Sequence, residues 1–251
     1  MTVYFIGAGP GAADLITVRG QRLLEQCPVC LYAGSIMPDD VLALCPPGAR
    51  IVDTGPLTLE QIIGEIADAH AAGHDVARLH SGDPSLYSAL AEQCRRLDAL
   101  GVDYEIVPGV PAFAAAAAAL RRELTVPGVA QTVTLSRVAT LSTPMPPGEE
   151  ITALARSGAT LVLHLAATQI AAIVPQLLAG GYRPGTPTAV VAFASWPQQI
   201  VLRGTLANIA EQMHAAGVTK TAVIIVGDVL AAQGFTDSYL YSTRRSRGSR
   251  H

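Results

Sequence analysis

Charge is scarce in this chain. Asp, Glu, Lys and Arg make up 15% of 251 residues and hydrophobic residues 50%, a balance that excludes a disordered, solvating polymer. The little charge present nearly cancels: 17 basic against 20 acidic residues leave a net charge of -3. That supplies no overall pull toward nucleic acid or an anionic membrane surface. Cysteine is also sparse. Cys27 and Cys30 stand at CxxC spacing, but Cys45 and Cys94 do not form the second pair that a zinc ribbon requires. Cys30 lies in the apolar run Val29–Tyr32 with no basic neighbour to favour a thiolate. His70 and His74 share a helical face without the acidic partner of a zinc protease, so no metal is expected. The apolar start, MTVYFIGAGPG, has no basic segment before it. The long uncharged stretch Ala159 to Tyr182 carries His164, Gln169, Pro175 and Gln176, which are costly in hydrocarbon. The expectation is a cytoplasmic protein with no membrane span and no nucleic-acid partner.

Short β-rich runs alternate with helical patterns. Through the first half they predict strands at Val3–Ile6, Val29–Tyr32, Arg50–Thr54, Asp75–Leu79 and Tyr104–Val107, the rhythm of βαβ units on a mainly parallel sheet. Helices are expected near Val18–Gln26, Pro38–Leu44, Thr58–Ala72, Pro84–Leu100 and Ala112–Leu124. Thr58 with Gln61 suits a capping box, and Asp83 before Pro84 suits an N-cap. After Pro127 the pattern restarts with strands at Gln131–Leu135, Ala159–Leu165, Thr188–Phe193, Ile200–Arg203 and Thr221–Val226, with a helix expected from Leu206. The fold class expected is α/β in two domains, residues 1–112 and 113–237, followed by a disordered tail, 238–251. Ser136 to Gly148, with three prolines, reads as a long loop.

In an open parallel sheet, ligands gather beyond the carboxyl ends of the strands. There the chain carries Gly7-Ala8-Gly9-Pro10-Gly11, Ala33-Gly34-Ser35, Ser81-Gly82-Asp83-Pro84 and Pro108-Gly109-Val110-Pro111. A dinucleotide fingerprint needs GxGxxG, whereas here the third glycine arrives one position early. Pro10 also removes an N–H, and no acidic residue closes the second strand, which runs Leu31-Tyr32-Ala33-Gly34. A purely structural tight turn stays open as an alternative.

Taken in order, VYFIGAGPGAADLITVRGQRLL, HSGDPSLY (His80–Tyr87), EIVPGVPAFAAAAA (Glu105–Ala118), ASWP (Ala194–Pro197) and GTL (Gly204–Leu206) resemble the tetrapyrrole methylases over roughly Val3 to Gly227. The segments Leu31–Leu42, Glu123–Arg137 and FASWP most resemble the branch that methylates precorrin-4 at C11 in cobalamin synthesis. The resemblance implies an S-adenosylmethionine-dependent methyltransferase and a tetrapyrrole substrate. It also implies a homodimer, a C-terminal domain with a mixed sheet, and an active-site cleft between the domains. For the cofactor it implies Pro10, Ser81, Gly82, Asp83, Ser85, Leu86, Tyr87, Pro111 and Ala112 from the first domain, and Leu165, Ala166, Ala194, Thr205 and Leu206 from the second. For a substrate trough the candidates are Gly9, Gly11, Asp14, Arg121 and Arg137, the arginines toward the substrate's carboxylates. Relatives commonly carry Asp-Pro where this chain has Ala12-Ala13, and Thr where it has Pro111. No catalytic base is assigned, because a sulfonium methyl is already activated. Other readings stay open on the same residues: methylation of another precorrin position or of cobalt-precorrin-4 in the anaerobic route, a carrier that binds a tetrapyrrole without turnover, and a nucleotide-dependent oxidoreductase.

Overall fold

A computed structural model describes residues 1–139 and 143–236. The expected tail, 238–251, and part of the expected loop, 140–142, lie outside the described residues. The chain divides into two compact units. One comprises Met1–Ala115 with Phe193–Gln199; the other comprises Ala116–Ala192 with the described residues from Ile200 onward.

The first unit is built on β1 (Val3–Gly7), α1 (Val18–Leu24), β2 (Val29–Tyr32), α2 (Asp39–Leu42), β3 (Arg50–Asp53), α3 (Leu59–Ala71), β4 (Val76–His80), α4 (Leu90–Leu100) and β5 (Tyr104–Val107), and it ends in α5 (Ala112–Leu120). Its five strands lie in the order β3-β2-β4-β1-β5, and every pairing is parallel. Parallel strands joined by helices are covered on both faces, and their side chains alternate between two cores. Val3, Phe5, Leu31 and Val76 pack with Ile62, Ile66 and Leu97 on one face, while Ile6, Cys30, Ala77 and Leu79 pack with Leu24, Met37 and Val41 on the other. From β1 the chain moves toward β2 and β3, then returns to β4 and crosses to β5. The carboxyl ends of β1 and β4 therefore lie side by side where the winding reverses, the position at which open α/β sheets leave a crevice.

Local signals explain most boundaries. Thr17 caps α1 by accepting from Gly20 N at 3.1 Å, and Thr58 and Gln61 form the expected capping box at α3. The expected helix start at Asp83–Pro84 is corrected by the structure. The α4 helix begins at Leu90 behind Ala89, which has φ 55°, because the Asp83 carboxylate is bound to Ser85 and Gly109 instead of capping a helix. Helix α5 stops four residues short of its expected end. Arg121 adopts φ 53° there, and the N–H groups of Arg121 and Arg122 close on Ala118 O and Ala117 O.

The second unit holds β6 (Val133–Arg137), α6 (Ile151–Ala155), β7 (Thr160–His164), α7 (Ile170–Ala179), β8 (Pro187–Ala192), β9 (Ile200–Thr205), α8 (Ile209–Ala215) and β10 (Ala222–Val226). Its sheet, β6-β7-β10-β8-β9, is mixed: β6 and β7 are parallel, and the remaining pairs are antiparallel. Strand β9 runs to Thr205, and Leu206 N bonds Thr186 O at 3.1 Å, so α8 starts later than the pattern from Leu206 suggests. No helix among the described residues is long and apolar enough to cross a membrane.

Candidate functional site

The rim above β1, β4 and β5 is held together by glycine. An antiparallel bridge joins Gly9 and Gly82: Gly9 N donates to Gly82 O at 3.2 Å, and Gly82 N donates to Gly9 O at 2.7 Å. Beneath it, a Cβ on Gly7 would stand 2.5 Å from Gly109 Cα and N and 2.8 Å from Gly82 O. Three loops thus touch through bare backbone, which only glycine permits. Gly82 further requires φ +72°.

Asp83 ties two of these loops. Its Oδ1 accepts from Ser85 N at 2.8 Å and from Ser85 Oγ, and its Oδ2 accepts from Gly109 N at 2.8 Å. Partial burial works to raise the carboxyl, but the hydrogen bonds from Ser85 and Gly109 outweigh it and hold it below its ordinary value. An ionised carboxylate with three donors on it is a weak base. Its role is to fix the shape of the Ser81–Pro84 and Pro108–Pro111 turns.

The β1 loop is held from the other side by Phe193–Gln199, the connection from β8 to β9, which packs with the first unit. Trp196 Nε1 donates to Pro10 O at 2.9 Å, and Ala12 N donates to Ser195 Oγ at 3.0 Å. Ala194, expected from the second domain, therefore belongs with Pro10 and Gly11 in the first unit, its carbonyl 3.0 Å from where a Gly11 Cβ would stand.

These bonds test the fit of a cofactor. In the β1 loop, Ala8 N donates to His80 O, Gly9 N to Gly82 O and Ala12 N to Ser195 Oγ, and Pro10 has no N–H. The strand is followed by a short 3-10 turn, Ala13–Leu15, before α1 begins at Val18. A pyrophosphate needs several free amides at a helix N-terminus, and this loop does not present them. The loop therefore departs from the amide cradle of a dinucleotide fold. A nucleoside bearing an uncharged sugar and an amino-acid chain does not need that amide cradle.

Behind the rim, on the α3–α4 side of the sheet, β4 carries two buried basic residues. Arg78 is 5% exposed; its Nε donates to Gln93 Oε1 at 3.1 Å and its Nη1 to Thr54 Oγ1 at 2.9 Å, and burial lowers its pKa to about 10. His80 packs on the Phe5 ring, and its Nε2 meets no hydrogen-bond partner among the described residues. Burial, and secondarily the Arg78 charge, push it down to about 3, so its ring is neutral at physiological pH. Cys27 and Cys30 are buried in the opposite core, with burial raising Cys27 to about 12. A hydrogen bond to Cys45, with burial behind it, raises Cys30.

Of the residues expected at the site, the first unit brings together Gly9, Pro10, Gly11, Ser81, Gly82, Asp83, Pro111, Ala112 and Ala194 at one sheet edge. Ser85, Leu86 and Tyr87 follow Asp83 in the turn before α4, with Tyr87 at φ 54° and 44% exposed. Asp14 is exposed on the 3-10 turn beyond the β1 loop.

In the second unit, Leu165 directly follows β7 with φ 54° and is 63% exposed, next to fully buried Ala166. An exposed leucine in a left-handed conformation costs of order 1–3 kcal/mol and is the kind of strain that collects at ligand sites. Thr205 N donates to Asn208 Oδ1 at 2.9 Å, and Leu206 is buried. Arg137 turns back on its own loop, donating to Val138 O at 3.0 Å, Thr143 O at 3.1 Å and Pro144 O at 3.2 Å, so three of its donor bonds are already made. Arg121 is the exposed residue that ends α5.

Sequence reasoning did not assign Gly7, Gly109, Ser195 or Trp196. The first two stand in the quoted Gly-rich turns. Ser195 and Trp196 stand in the quoted ASWP segment, and Trp196 is the chain's single tryptophan.

Residues 2–210 match the model of a family described as Tetrapyrrole (Corrin/Porphyrin) Methylases. The chain is 83% identical over 245 residues, 98% of each protein, to a precorrin-4 C(11)-methyltransferase of Mycobacterium tuberculosis (strain CDC 1551 / Oshkosh). The solved structure of a cobalt precorrin-4 methyltransferase of cobalamin biosynthesis is similar at TM-score 0.89 and 41% identity, over 91% of this chain and 95% of that one. A uroporphyrin-III C-methyl transferase from Thermus thermophilus, complexed with S-adenyl homocysteine, is similar at TM-score 0.77 and 31% identity, over 92% of this chain and 99% of that one.

Proposed function

The chain belongs to the tetrapyrrole (corrin/porphyrin) methylases, and from that premise we propose that it methylates precorrin-4 at C11, giving precorrin-5, in cobalamin biosynthesis. The observation that carries this reading is the 83% identity to the M. tuberculosis precorrin-4 C(11)-methyltransferase across 98% of both chains, against 41% to the cobalt-precorrin enzyme.

S-adenosylmethionine supplies a methyl on a sulfonium: an enamine carbon of the substrate attacks it in line, the C–S bond breaks, and the electron pair stays on sulfur. The protein's part is to orient the two reactants and exclude water, since no strong base is needed at the methyl. The Gly9–Gly82 bridge and the Asp83 link to Gly109 hold the rim rigid, and Pro10, Ser81–Asp83, Ser85–Tyr87, Pro111, Ala112 and Ala194 are its cofactor-contacting residues. Leu165, Ala166, Thr205 and Leu206 complete the proposed cofactor-binding set, and the exposed, left-handed Leu165 supports its inclusion. Gly9, Gly11, Asp14, Arg121 and Arg137 face the substrate. The enzyme works as a cytoplasmic homodimer on a free small molecule.

Incubation with S-adenosylmethionine and precorrin-4, followed by mass and carbon NMR analysis of the pigment, tests the reading. One added methyl at C11 is expected. A methyl on another carbon, turnover of cobalt-precorrin-4 alone, or pigment bound without methylation would overturn it. A thermal-shift comparison is independent of the pigment: S-adenosylhomocysteine at 100 times its Kd raises stability by about 2.7 kcal/mol, and NAD leaves the midpoint unchanged.

A further inference from the structure

We propose that Trp196 is a positioning residue for methyl transfer: with Ser195 it straps the Gly9–Ala12 loop into the shape that presents Pro10 to the cofactor. The inference rests on the reading above that Pro10 lines the S-adenosylmethionine site.

In a Gly-Pro-Gly loop only the proline φ is fixed by the chain itself, because the flanking glycines are permissive and proline donates no hydrogen bond. The strap supplies what the loop lacks. The Trp196 indole takes the Pro10 carbonyl, and the Ser195 hydroxyl takes the Ala12 N–H, at 2.9 and 3.0 Å. Both backbone groups are thereby withdrawn from any ligand and serve the loop's own conformation. Gly11 shows the closeness of the fit. It does not adopt a positive φ, so backbone freedom is not what it provides. A Cβ there would fall among Trp196 Cδ1 and Nε1, so the bare Cα is what lets the indole lie on the loop.

The strap is itself strained and braced. Phe193 and Ser195 adopt φ +51° and +67°, unusual for residues with side chains, and such conformations persist where the surroundings over-determine them. The brace is visible: Ser195 N donates to Gln199 Oε1 at 2.9 Å, Trp196 N to Phe193 O at 2.9 Å and Gln199 N to Trp196 O at 3.1 Å. The Phe193 ring meets the indole edge-on at 6.1 Å. A loop fixed before the ligand arrives loses no further entropy on binding, so the strap acts on affinity and alignment.

The test uses Trp196→Phe, which keeps an aromatic ring and deletes the N–H, together with Ser195→Ala. Isothermal titration with S-adenosylhomocysteine, the KM for S-adenosylmethionine, kcat on precorrin-4 and the melting temperature are measured for each. The dissociation constant and KM are expected to rise about tenfold in Trp196→Phe, the effect of one hydrogen bond, with kcat changing less. Ser195→Ala follows in the same direction. The double variant falls short of the sum, since both act on one loop. Because Trp196 is the single tryptophan, S-adenosylhomocysteine should also change the intrinsic fluorescence of the wild type.

A folded Trp196→Phe with wild-type dissociation constant and KM would overturn the proposal, whatever its melting temperature. If that variant does not fold, Ser195→Ala decides by the same criterion. Wild-type protein that fails to bind S-adenosylhomocysteine would instead sink the cofactor reading itself, so the two failures are distinguishable.

Discussion

Asp83→Asn isolates what the carboxylate at the centre of the rim does. The wild-type side chain accepts from Ser85 N and Oγ on one oxygen and from Gly109 N on the other. Asparagine offers one acceptor oxygen and an NH2. If the oxygen keeps Ser85, the NH2 faces the Gly109 N–H donor to donor; if it keeps Gly109, Ser85 loses its acceptor. A hydrogen bond to a charged group contributes about 1.5–3 kcal/mol, and an orphaned donor costs a similar amount, so a loss of about 2–3 kcal/mol is expected. For a unit of this size that corresponds to a drop of roughly 5–10 °C in the melting temperature. Ser85→Ala removes the hydroxyl donor alone and should lose less than half as much.

The pH dependence has a definite sign. A carboxyl held below its unfolded value stabilises the fold above about pH 4 and loses that contribution as pH falls through its lower folded pKa. The Asn variant lacks this limb, so its melting temperature should fall less steeply than the wild type's below pH 4. Scanning calorimetry from pH 3 to 7 reads both effects. An Asp83→Asn protein melting with the wild type across that range would refute the claim that the carboxylate cross-links the two turns.

Two other perturbations have calculable outcomes. Gly109→Ala would drive a Cβ into Gly82 O and to 2.7 Å from Gly7 Cα, so it should destabilise by about 1–3 kcal/mol or more. Gly64→Ala, in mid-α3 with open space around its Cα, should stabilise by about 0.4–1 kcal/mol; urea titration measures both, and a stable Gly109→Ala would disprove the glycine contact. His80, pushed down to about 3, stays neutral in the fold while the unfolded chain binds a proton below about pH 6.5. Stability therefore falls as pH drops from about 6.5 toward 3, by up to about 4–5 kcal/mol. His80→Leu should remove that slope in denaturant titrations at pH 4 and 7, and an unchanged slope would count against the buried neutral ring.

Both-face burial made the first sheet readable. Parallel core strands such as Val3–Gly7 and Val29–Tyr32 are short apolar runs closed by Gly- or Pro-rich turns, and the capping box at Thr58 is a local signal. The helix at Asp83–Pro84 misled because Asp-Pro is a good local start only while the carboxylate has no better partner, and Gly109, 26 residues away, supplies one. Arg137 is legible as a substrate-trough candidate by residue type, while its three hydrogen bonds to carbonyls of its own loop are seen only in the structure.

The amino-acid order by itself determined the alternation of strands and helices, the glycine-rich turns along one sheet edge, and the absence of a dinucleotide loop. All three depend on spacings within about a dozen residues, where propensity and periodicity act. Only the tertiary structure decided that Trp196 closes on Pro10 across 186 positions, that Gly7, Gly82 and Gly109 meet backbone to backbone, and that Asp83 joins two turns. Those contacts follow from strand order and close packing, which bring distant segments within hydrogen-bonding reach, and no local pattern encodes which segments will meet.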